Sequence, residues 1–270
     1  GKKIAYVKGN NLFVKDLQTN YTKQITKDGE YNKIINGATD WVYEEEFGLV
    51  QAFFWSPNGK NIAFYRFDES LVKEFSMDMF KNELYPSQNV FKYPKAGEEN
   101  SEVSIHVYNL QTKKTNKVKF DNEYEYIARV GWTKNDNQLY AFGLNRHQNK
   151  LDFCIFNTAT KKSEILFFEE DKYYLDVHDN TTFMDNGKEF IWTSEKDGFN
   201  HIYLVQLSDG SMKQITSGNW EVSSYHGMDA SSNTVFYSST EEGAINRSVY
   251  SISSDGLNKR KLSTRIGDNR

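Results

Sequence analysis

The sequence is short of several residue types, and each shortage excludes a class of protein. Cys154 is the one cysteine among 270 residues, so a framework of internal disulfides is excluded. No apolar run approaches the roughly 18 residues of a membrane-spanning helix, and residues 1–6 lack the apolar core of a signal peptide. Because the chain starts with Gly1 rather than Met, we expect a mature or trimmed product whose targeting segment is not in this sequence.

An excess of positive charge is also missing. The chain has 33 Lys and Arg residues against 37 Asp and Glu, a formal net charge of -4, and its basic residues are scattered. Nucleic acid is therefore not an expected partner. His178 lies between Asp176 and Asp179, but no second histidine follows at ligand spacing, so we interpret this segment as a surface loop. The sequence predicts no metal site and no cofactor.

Proline is scarce, with 3 residues, and long amphipathic helical patterns are nearly missing. Short alternating runs separated by glycine-containing turns fill the chain instead, which is typical of antiparallel sheets. Aromatic residues make up 15% of the chain and supply enough bulky surface for a packed core. We therefore expect a globular all-β protein.

A unit of four strands recurs along the chain. Its first half is an aromatic strand end, a polar tight turn and a second strand, and it occurs at 54–65, 131–142, 182–192 and, more weakly, 228–237. Third and fourth strands follow each unit, and the segment from Gly1 matches a unit without its opening strand. A spacing of roughly 45 to 50 residues is typical of β-propeller blades. The sequence predicts a β-propeller segment of about five four-stranded antiparallel blades.

Two insertions interrupt the repeat, at about 28–51 and about 68–102. Insertions in a repeat array lie on one face and often carry function. Both ends of the chain fall within the repeat pattern, so we expect residues 1–270 to be one segment of a larger propeller.

The first insertion contains the acidic segment Asp-Trp-Val-Tyr-Glu-Glu-Glu at 40–46. Asp40 is a favourable N-cap, so a short helix is expected to begin near Trp41. Successive helical residues point about 100° apart, so three glutamates cannot share one ligand equally, but two of them can flank a primary ammonium group. An acidic triplet alone is more often a solvated helix face, and both interpretations remain open at this point.

Three blocks together resemble a known family. The segments 40–46, 55–59 (Trp-Ser-Pro-Asn-Gly) and 93–97 (Tyr-Pro-Lys-Ala-Gly) occur in the same order, with similar gaps, in the propeller domain of dipeptidyl peptidase IV. The segment 219–222 (Asn-Trp-Glu-Val) is a further match, and the resemblance covers most of the chain. It implies an eight-bladed propeller followed by an α/β-hydrolase domain that this sequence does not contain.

The resemblance also implies a role for two of the three glutamates. Carried over by position, Glu45 and Glu46 bind the free N-terminal amine of a peptide substrate, and Glu44 is structural or faces solvent. A fixed amine limits how far a peptide enters, so the enzyme releases N-terminal dipeptides of the Xaa-Pro or Xaa-Ala type. The family's substrate-binding arginine would lie upstream of Gly1, and its Arg-Phe pattern is not found near His178.

The second insertion is rich in apolar residues, and they need burial against the chain itself or against a partner. In the family a comparable arm contributes to a homodimer, so the resemblance implies a contact with a second copy through 68–102. The apolar residues are Phe75, Met77, Met79, Phe80, Leu84, Tyr85, Val90, Phe91 and Tyr93.

No Gly-x-Ser-x-Gly nucleophile elbow occurs in the sequence. We therefore expect this chain alone to be inactive and its parent protein to be a serine dipeptidyl peptidase. The family's habit places such a protein in the periplasm, outside the cell or on its surface. The single cysteine favours a bacterial envelope over a disulfide-rich animal ectodomain.

Two other functions remain as alternatives. One is a propeller without enzymatic activity that serves as a scaffold for protein interactions. The other is the propeller of a related oligopeptidase or acylaminoacyl peptidase, which lacks an acidic amine site. The segment 40–46 argues against both.

Overall fold

The computed structural model describes residues 1–269, which are almost entirely strand and turn. They form two compact units, of which the first comprises Gly1–Trp132, Asp136–Gln148 and Phe153–Ile165 and the second comprises the remaining described residues. Within the described range there are five sheets with blade connectivity and one separate hairpin. The all-β prediction and the prediction of five blades are confirmed.

The first sheet has three antiparallel strands, in the order β1-β2-β3. It lacks the opening strand, as predicted. Its strands are β1 (Lys3–Lys8), β2 (Asn11–Asp16) and β3 (Thr22–Gln24).

The second sheet carries both insertions. Its elements in chain order are β4 (Ile34–Asn36), α1 (Trp41–Glu45), β5 (Phe53–Trp55), β6 (Asn61–Asp68), the hairpin strands β7 (Glu74–Met79) and β8 (Ser87–Lys92), β9 (Glu102–Asn109) and β10 (Lys114–Lys117). The strand order is β10-β9-β6-β4, with β5 also paired to β6.

The remaining three sheets have four strands each in chain order. The third contains β11 (Tyr126–Trp132), β12 (Gln138–Leu144), β13 (Lys150–Asn157) and β14 (Lys162–Glu170). The fourth contains β15 (Thr182–Phe183), β16 (Glu189–Ser194), β17 (His201–Gln206) and β18 (Met212–Gln214). The fifth contains β19 (Val222–Asp229), β20 (Thr234–Ser239), β21 (Ser248–Ser253) and β22 (Arg260–Lys261).

Each unit has its own apolar core, formed by the inward residues of alternating strands. In the first unit a cluster joins the first and second sheets and contains Leu12, Val14, Ile62, Phe64 and Tyr108. In the second unit a cluster joins the fourth and fifth sheets and contains Met184, Ile191, Ile202, Leu204, Ile215, Val222, Val235, Tyr237, Tyr250 and Ile252.

The outermost strands of three sheets end in the same way. A hydroxyl just beyond the strand accepts a hydrogen bond from the neighbouring strand's backbone, which satisfies an N–H group that the short edge strand leaves unpaired. The pairs are Leu12 N with Thr26 Oγ1 at 2.9 Å, Ile202 N with Thr216 Oγ1 at 2.9 Å, and Val249 N with Ser263 Oγ at 3.2 Å.

The first insertion interrupts an edge strand. Strands β4 and β5 pair with β6 in the same direction, at Ile35↔Phe67 and Phe54↔Ala63. Between them the backbone of Tyr65 bonds to both stems of the excursion, because Gly37 N donates to Tyr65 O and Tyr65 N donates to Ala52 O, each at 2.9 Å. Residues 37–52 therefore leave the sheet beside Tyr65 and return to it beside the same residue.

A glycine is required at the first of these stems. Gly37 has φ +76°, a conformation that disfavours side chains, and an added Cβ would lie 3.1 Å from Val7 Cγ2.

The second insertion leaves the sheet after Asp68 and returns at Glu102, which are paired in register. Strands β7 and β8 form a hairpin from Glu74↔Lys92 to Met79↔Ser87. Its apolar side chains are largely exposed, and they include Phe75, Met77, Phe80, Leu84, Tyr85 and Val90. The hairpin is tied to the loop before β4, where the Tyr31 hydroxyl donates to Val90 O at 2.8 Å.

Candidate functional site

Helix α1 begins where the sequence predicts it. Asp40 is the N-cap, and its Oδ1 accepts a hydrogen bond from Tyr43 N at 2.9 Å. Its Oδ2 accepts from the Ser101 hydroxyl at 2.7 Å, so the residue before β9 also contacts the cap. Burial raises the pKa of Asp40, and the two hydrogen bonds oppose that shift.

Tyr43 fixes the inner side of the helix. Its ring packs against Phe67 at 4.8 Å and Phe47 at 5.1 Å between centroids. Its hydroxyl oxygen accepts a hydrogen bond from Ile127 N at 2.8 Å, so a side chain of the helix supplies the partner of a buried backbone N–H in β11. Burial raises the pKa of Tyr43 well above its usual value, and the hydroxyl stays neutral.

Strand β11 also holds the residues that follow the helix. The Arg129 guanidinium donates to Phe47 O at 2.8 Å, and the Phe47 ring meets the Tyr126 ring at 5.4 Å in an edge-on contact. Leu49 N donates to Tyr43 O at 2.9 Å and closes the turn. The helix has only five residues, and these contacts rather than its own hydrogen bonds determine its position.

The base of the hairpin contacts the outer side of the helix. Trp41 packs on Tyr93 with ring centroids 4.3 Å apart. Tyr93 in turn contacts Phe75 of β7 at 5.6 Å, and Tyr93 N donates to Lys73 O at 3.0 Å. The two insertions of the second sheet therefore support each other.

The three glutamates lie on the exposed side of α1. Because Tyr43 points into the core, a rotation of about 100° per residue places Glu45 opposite it, with Glu44 and Glu46 on either side. All three side chains are exposed. None of their carboxylates forms a hydrogen bond or an ion pair with another residue of the described range 1–269.

A cleft of about 540 Å³ opens beside the helix, entirely within the first unit. Glu46 lines this cleft, whereas Glu45 and Glu44 do not. The block 93–97 forms the opposite side, so the structure brings together two of the three segments that carry the resemblance. The full lining is Trp41, Val42, Glu46, Phe47, Tyr93, Pro94, Lys95, Ala96, Gly97, Asn100, Tyr126, Arg146 and Gln148.

Polar side chains form the end of the cleft. The Asn100 amide donates to Glu125 Oε1 at 2.7 Å and to the Tyr126 hydroxyl at 3.0 Å, and Arg146 donates to the same Glu125 oxygen at 2.9 Å. Burial raises the pKa of Tyr126, and the carboxylates of Glu125 and Glu46 add to that shift. Arg146 is thus already paired with Glu125, whereas Glu46 has no ion-pair partner among the described residues.

A model of the family described as "Dipeptidyl peptidase IV (DPP IV) N-terminal region" matches residues 1–270. The chain belongs to the dipeptidyl peptidase IV family. The resemblance seen in the sequence blocks is confirmed.

Individual proteins support the same assignment. The chain is 31% identical over 266 residues to dipeptidyl peptidase 4 of Arthroderma otae, a match that covers 93% of the chain and 34% of that protein. The match to dipeptidyl peptidase 4 of Trichophyton tonsurans has the same identity and coverage. The crystal structure of Porphyromonas gingivalis dipeptidyl peptidase 4 superposes with a TM-score of 0.93 at 41% identity, over 99% of this chain and 38% of that one. The chain spans about a third of the length of the curated relatives that it matches.

The other singled-out residues have structural surroundings in this member of the dipeptidyl peptidase IV family. His178 Nε2 lies 2.8 Å from Thr193 O, and its ring packs on Trp192 at 4.2 Å. Trp220 of the block 219–222 contacts His201 and Tyr237. Within residues 1–269 no group of three or more His, Cys, Asp or Glu side chains is arranged to bind a metal ion. In the same range no helix has the length and apolarity needed to cross a membrane.

Sequence reasoning missed the residues that hold the acidic segment in place. Ser101 and Ile127 are distant from Asp40 and Tyr43 in the chain, and neither belongs to a block shared with the dipeptidyl peptidase IV family. The one available signal was the position of Ser101 at the end of the second insertion.

The contact between Tyr43 and Ile127 can be tested by Tyr43→Phe. The variant keeps the ring packing but removes the acceptor of a buried N–H, so we expect a loss of about 1–3 kcal/mol of unfolding free energy. Thermal unfolding of the parent protein measures the effect. Tyr85→Phe is the control, because Tyr85 is 79% exposed. Equal unfolding midpoints for the two variants would contradict the role assigned to the Tyr43 hydroxyl.

Proposed function

We propose that this chain is the substrate-recognition part of a serine exopeptidase that releases N-terminal dipeptides, and that Glu45 and Glu46 bind the α-amino group of the substrate. The main support is that the carboxylates of Glu45 and Glu46 are exposed and have no ion-pair partner among the described residues. The helix that carries them is held by β11 on one side and by the base of the hairpin on the other. Membership of the dipeptidyl peptidase IV family supports the substrate class, Xaa-Pro or Xaa-Ala peptides with a free N-terminus.

Electrostatics favour an ammonium group at this position. Neighbouring carboxylates repel each other, and a bound cation removes that cost and gains charge-assisted hydrogen bonds. No lysine or arginine of the described residues pairs with Glu45 or Glu46, so no internal cation competes for them. The α-amino group of a peptide has a reference pKa of about 7.7–8.0 and is largely charged at neutral pH.

A rigid amine site determines how many residues of a bound peptide extend from its N-terminus to the catalytic nucleophile. Asp40, Tyr43 and Phe47 fix the helix through Ser101 and β11, so its glutamates cannot follow a peptide that enters further. A substrate whose amine is bound there presents one peptide bond to a nucleophile at a fixed distance. This accounts for the release of dipeptides rather than cleavage at internal bonds.

The glutamates can be tested in the parent enzyme by Glu45→Gln and Glu46→Gln. Each change keeps the shape but removes a charge-assisted contact, so kcat/KM for a free-amine Gly-Pro reporter should fall about 10- to 100-fold. Glu44→Gln is the matched control on the same helix and should retain activity. The same variants assayed on an N-acetylated reporter should change little. Wild-type kinetics in both the Glu45 and Glu46 variants would contradict the amine site.

The acyl-transfer chemistry belongs, in this proposal, to residues outside this chain. The sequence has no nucleophile elbow, and a serine nucleophile needs a base and an oxyanion hole beside it. An isolated 1–270 chain should therefore bind peptides without cleaving them. The measurement is release of the reporter group from a Gly-Pro substrate by the purified chain, with the parent protein as positive control. Turnover by the isolated chain would place the nucleophile within it and overturn this part of the proposal.

We also propose that the β7–β8 hairpin contacts a second copy of the protein. Leu84, Tyr85 and Phe80 at its tip are 88%, 79% and 71% exposed, and burying such side chains against a partner releases apolar surface from water. The hairpin is anchored at its base by Tyr31 and Tyr93, so it presents this surface in a defined position.

The dimer contact can be tested by Leu84→Asp in the parent protein. A charge in an apolar interface should shift the protein from dimer to monomer in sedimentation velocity. Ile245→Asp is the control, because Ile245 is also 88% exposed but lies in the second unit. An unchanged dimer in the Leu84 variant, or a monomeric wild type, would contradict the hairpin contact.

The compartment proposed for the parent protein is the periplasm, the cell surface or the outside of the cell, with a bacterial envelope favoured. The single cysteine favours a bacterial envelope over a disulfide-rich animal ectodomain.

A further inference from the structure

Three buried polar residues lie where the two insertions leave the second sheet. Asp40 caps helix α1, Glu69 follows the last residue of β6, and Ser101 precedes the first residue of β9. They are 5%, 6% and 7% exposed, respectively. Buried carboxyl groups are rare unless they are paired or serve a purpose, so two of them at one place require an explanation.

The strand register brings Glu69 next to the cap. Asp68 is paired with Glu102, so one step further along the antiparallel pair sets Glu69 opposite Ser101. On the other side Glu69 N donates to Lys33 O at 2.7 Å, which continues the pairing of β4 with β6. Ser101 in turn donates to Asp40 Oδ2 at 2.7 Å. The backbone register therefore sets Glu69 beside Ser101, whose hydroxyl bonds to the cap of α1.

The Glu69 carboxyl has no hydrogen-bond or ion-pair partner among the described residues. Three charged groups act on it: Asp40, Asp68 and Lys92. Lys92 is occupied elsewhere, because its ammonium donates to Val72 O at 2.7 Å and lies 3.8 Å from Glu74. Burial raises the pKa of Glu69 to about 7, and the Asp40 and Asp68 carboxylates add to the shift while Lys92 opposes it.

We propose that Glu69 is a positioning residue for the amine-binding helix: in its neutral form it leaves the cap formed by Asp40 and Ser101 intact, and its ionisation beside Asp40 loosens the first turn of α1. The cap is sensitive because both Asp40 oxygens are already used. A second negative charge in the same buried space is relieved by moving Asp40 toward water, which breaks its bonds to Ser101 and Tyr43 N.

The pH range follows from the direction of the shift. The ordinary glutamate value is 4.5 and the folded value is about 7, so the folded protein binds this proton more tightly than the unfolded chain between these values. Stability contributed by the neutral carboxyl is present below pH 4.5 and is lost as pH rises to about 7. In the native protein the helix should therefore loosen between about pH 6 and pH 8, the range in which the substrate amine also loses its charge.

The first experiment measures hydrogen exchange of the segment 40–49 in the parent protein, expressed as protection factors so that the intrinsic pH dependence cancels. Wild-type protection should fall about tenfold from pH 6 to pH 8, a change that corresponds to roughly one pKa unit of coupling. Glu69→Gln, which mimics the neutral carboxyl without changing its shape, should keep the low-pH protection throughout. Glu102→Gln is the control, since it removes an exposed carboxylate next to Ser101 and should behave as wild type.

The variant Asp40→Asn distinguishes the role of Asp40 as an N-cap from the effect of its negative charge. Asparagine is also an N-cap residue, and it removes the carboxylate that repels ionised Glu69, so the fall in protection between about pH 6 and pH 8 should be largely lost. Wild-type protection that does not depend on pH, or the same pH dependence in Glu69→Gln as in the wild type, would overturn the proposal.

The second experiment rests on the proposed function and measures KM for a free-amine Gly-Pro reporter from pH 6 to pH 8. Titration of the substrate amine affects wild type and Glu69→Gln equally, so the ratio of their KM values isolates Glu69. We expect the ratio of wild-type to variant KM to rise about fivefold over this range, at the lower end of coupling between linked sites. A change in exchange without a change in this ratio would uphold the control of α1 by Glu69 and overturn the amine site on that helix.

Discussion

The site depends on the backbone of one residue, Tyr65. Its N–H and C=O bond to the two ends of the first insertion, so the edge strand of the second sheet continues across the interruption as β4 and β5. The contacts of helix α1 with Ser101 and β11 form only if this loop is closed. Without this closure, the bonds from Ser101 to Asp40 and from Ile127 to Tyr43 would have to offset the entropic cost of ordering a free loop of about 16 residues. That cost increases with loop length.

The helix illustrates how a very short element is made rigid. Five residues are too few to be stable alone, and their position is determined by neighbours that come from the residue before β9, from β11 and from the base of the hairpin. The buried side of the helix is aromatic and tightly packed, whereas its other side carries unpaired charge. Packing fixes the position of the helix, and its glutamates have no partner among the described residues.

Much of this fold could be predicted because its signals are local. The recurring strand and turn pattern gives the five sheets, and Asp40 before an acidic segment gives the start of α1. Strand β4 was not predictable, since Ile34–Asn36 is too short to show alternation and lies inside what the sequence presents as an insertion. The burial of Glu69 was also not predictable. It depends on how β6 pairs with β9, and the paired residues Asp68 and Glu102 are 34 positions apart in the sequence. Local sequence shows which residues can cap or charge a helix, but it does not show which distant strand will face them.

The interruption between β4 and β5 has a consequence for engineering. Ala52 N donates to Gly37 O at 3.3 Å, so the two stems are adjacent, and the ladder along β6 runs past them without a gap. The backbone pairing along β6 therefore involves only the two stems, whereas side chains between them contact Phe67, Ser101 and Ile127. A loop of another length could be grafted between Gly37 and Ala52 without breaking this backbone pairing, provided that it supplies a new partner for the buried N–H of Ile127.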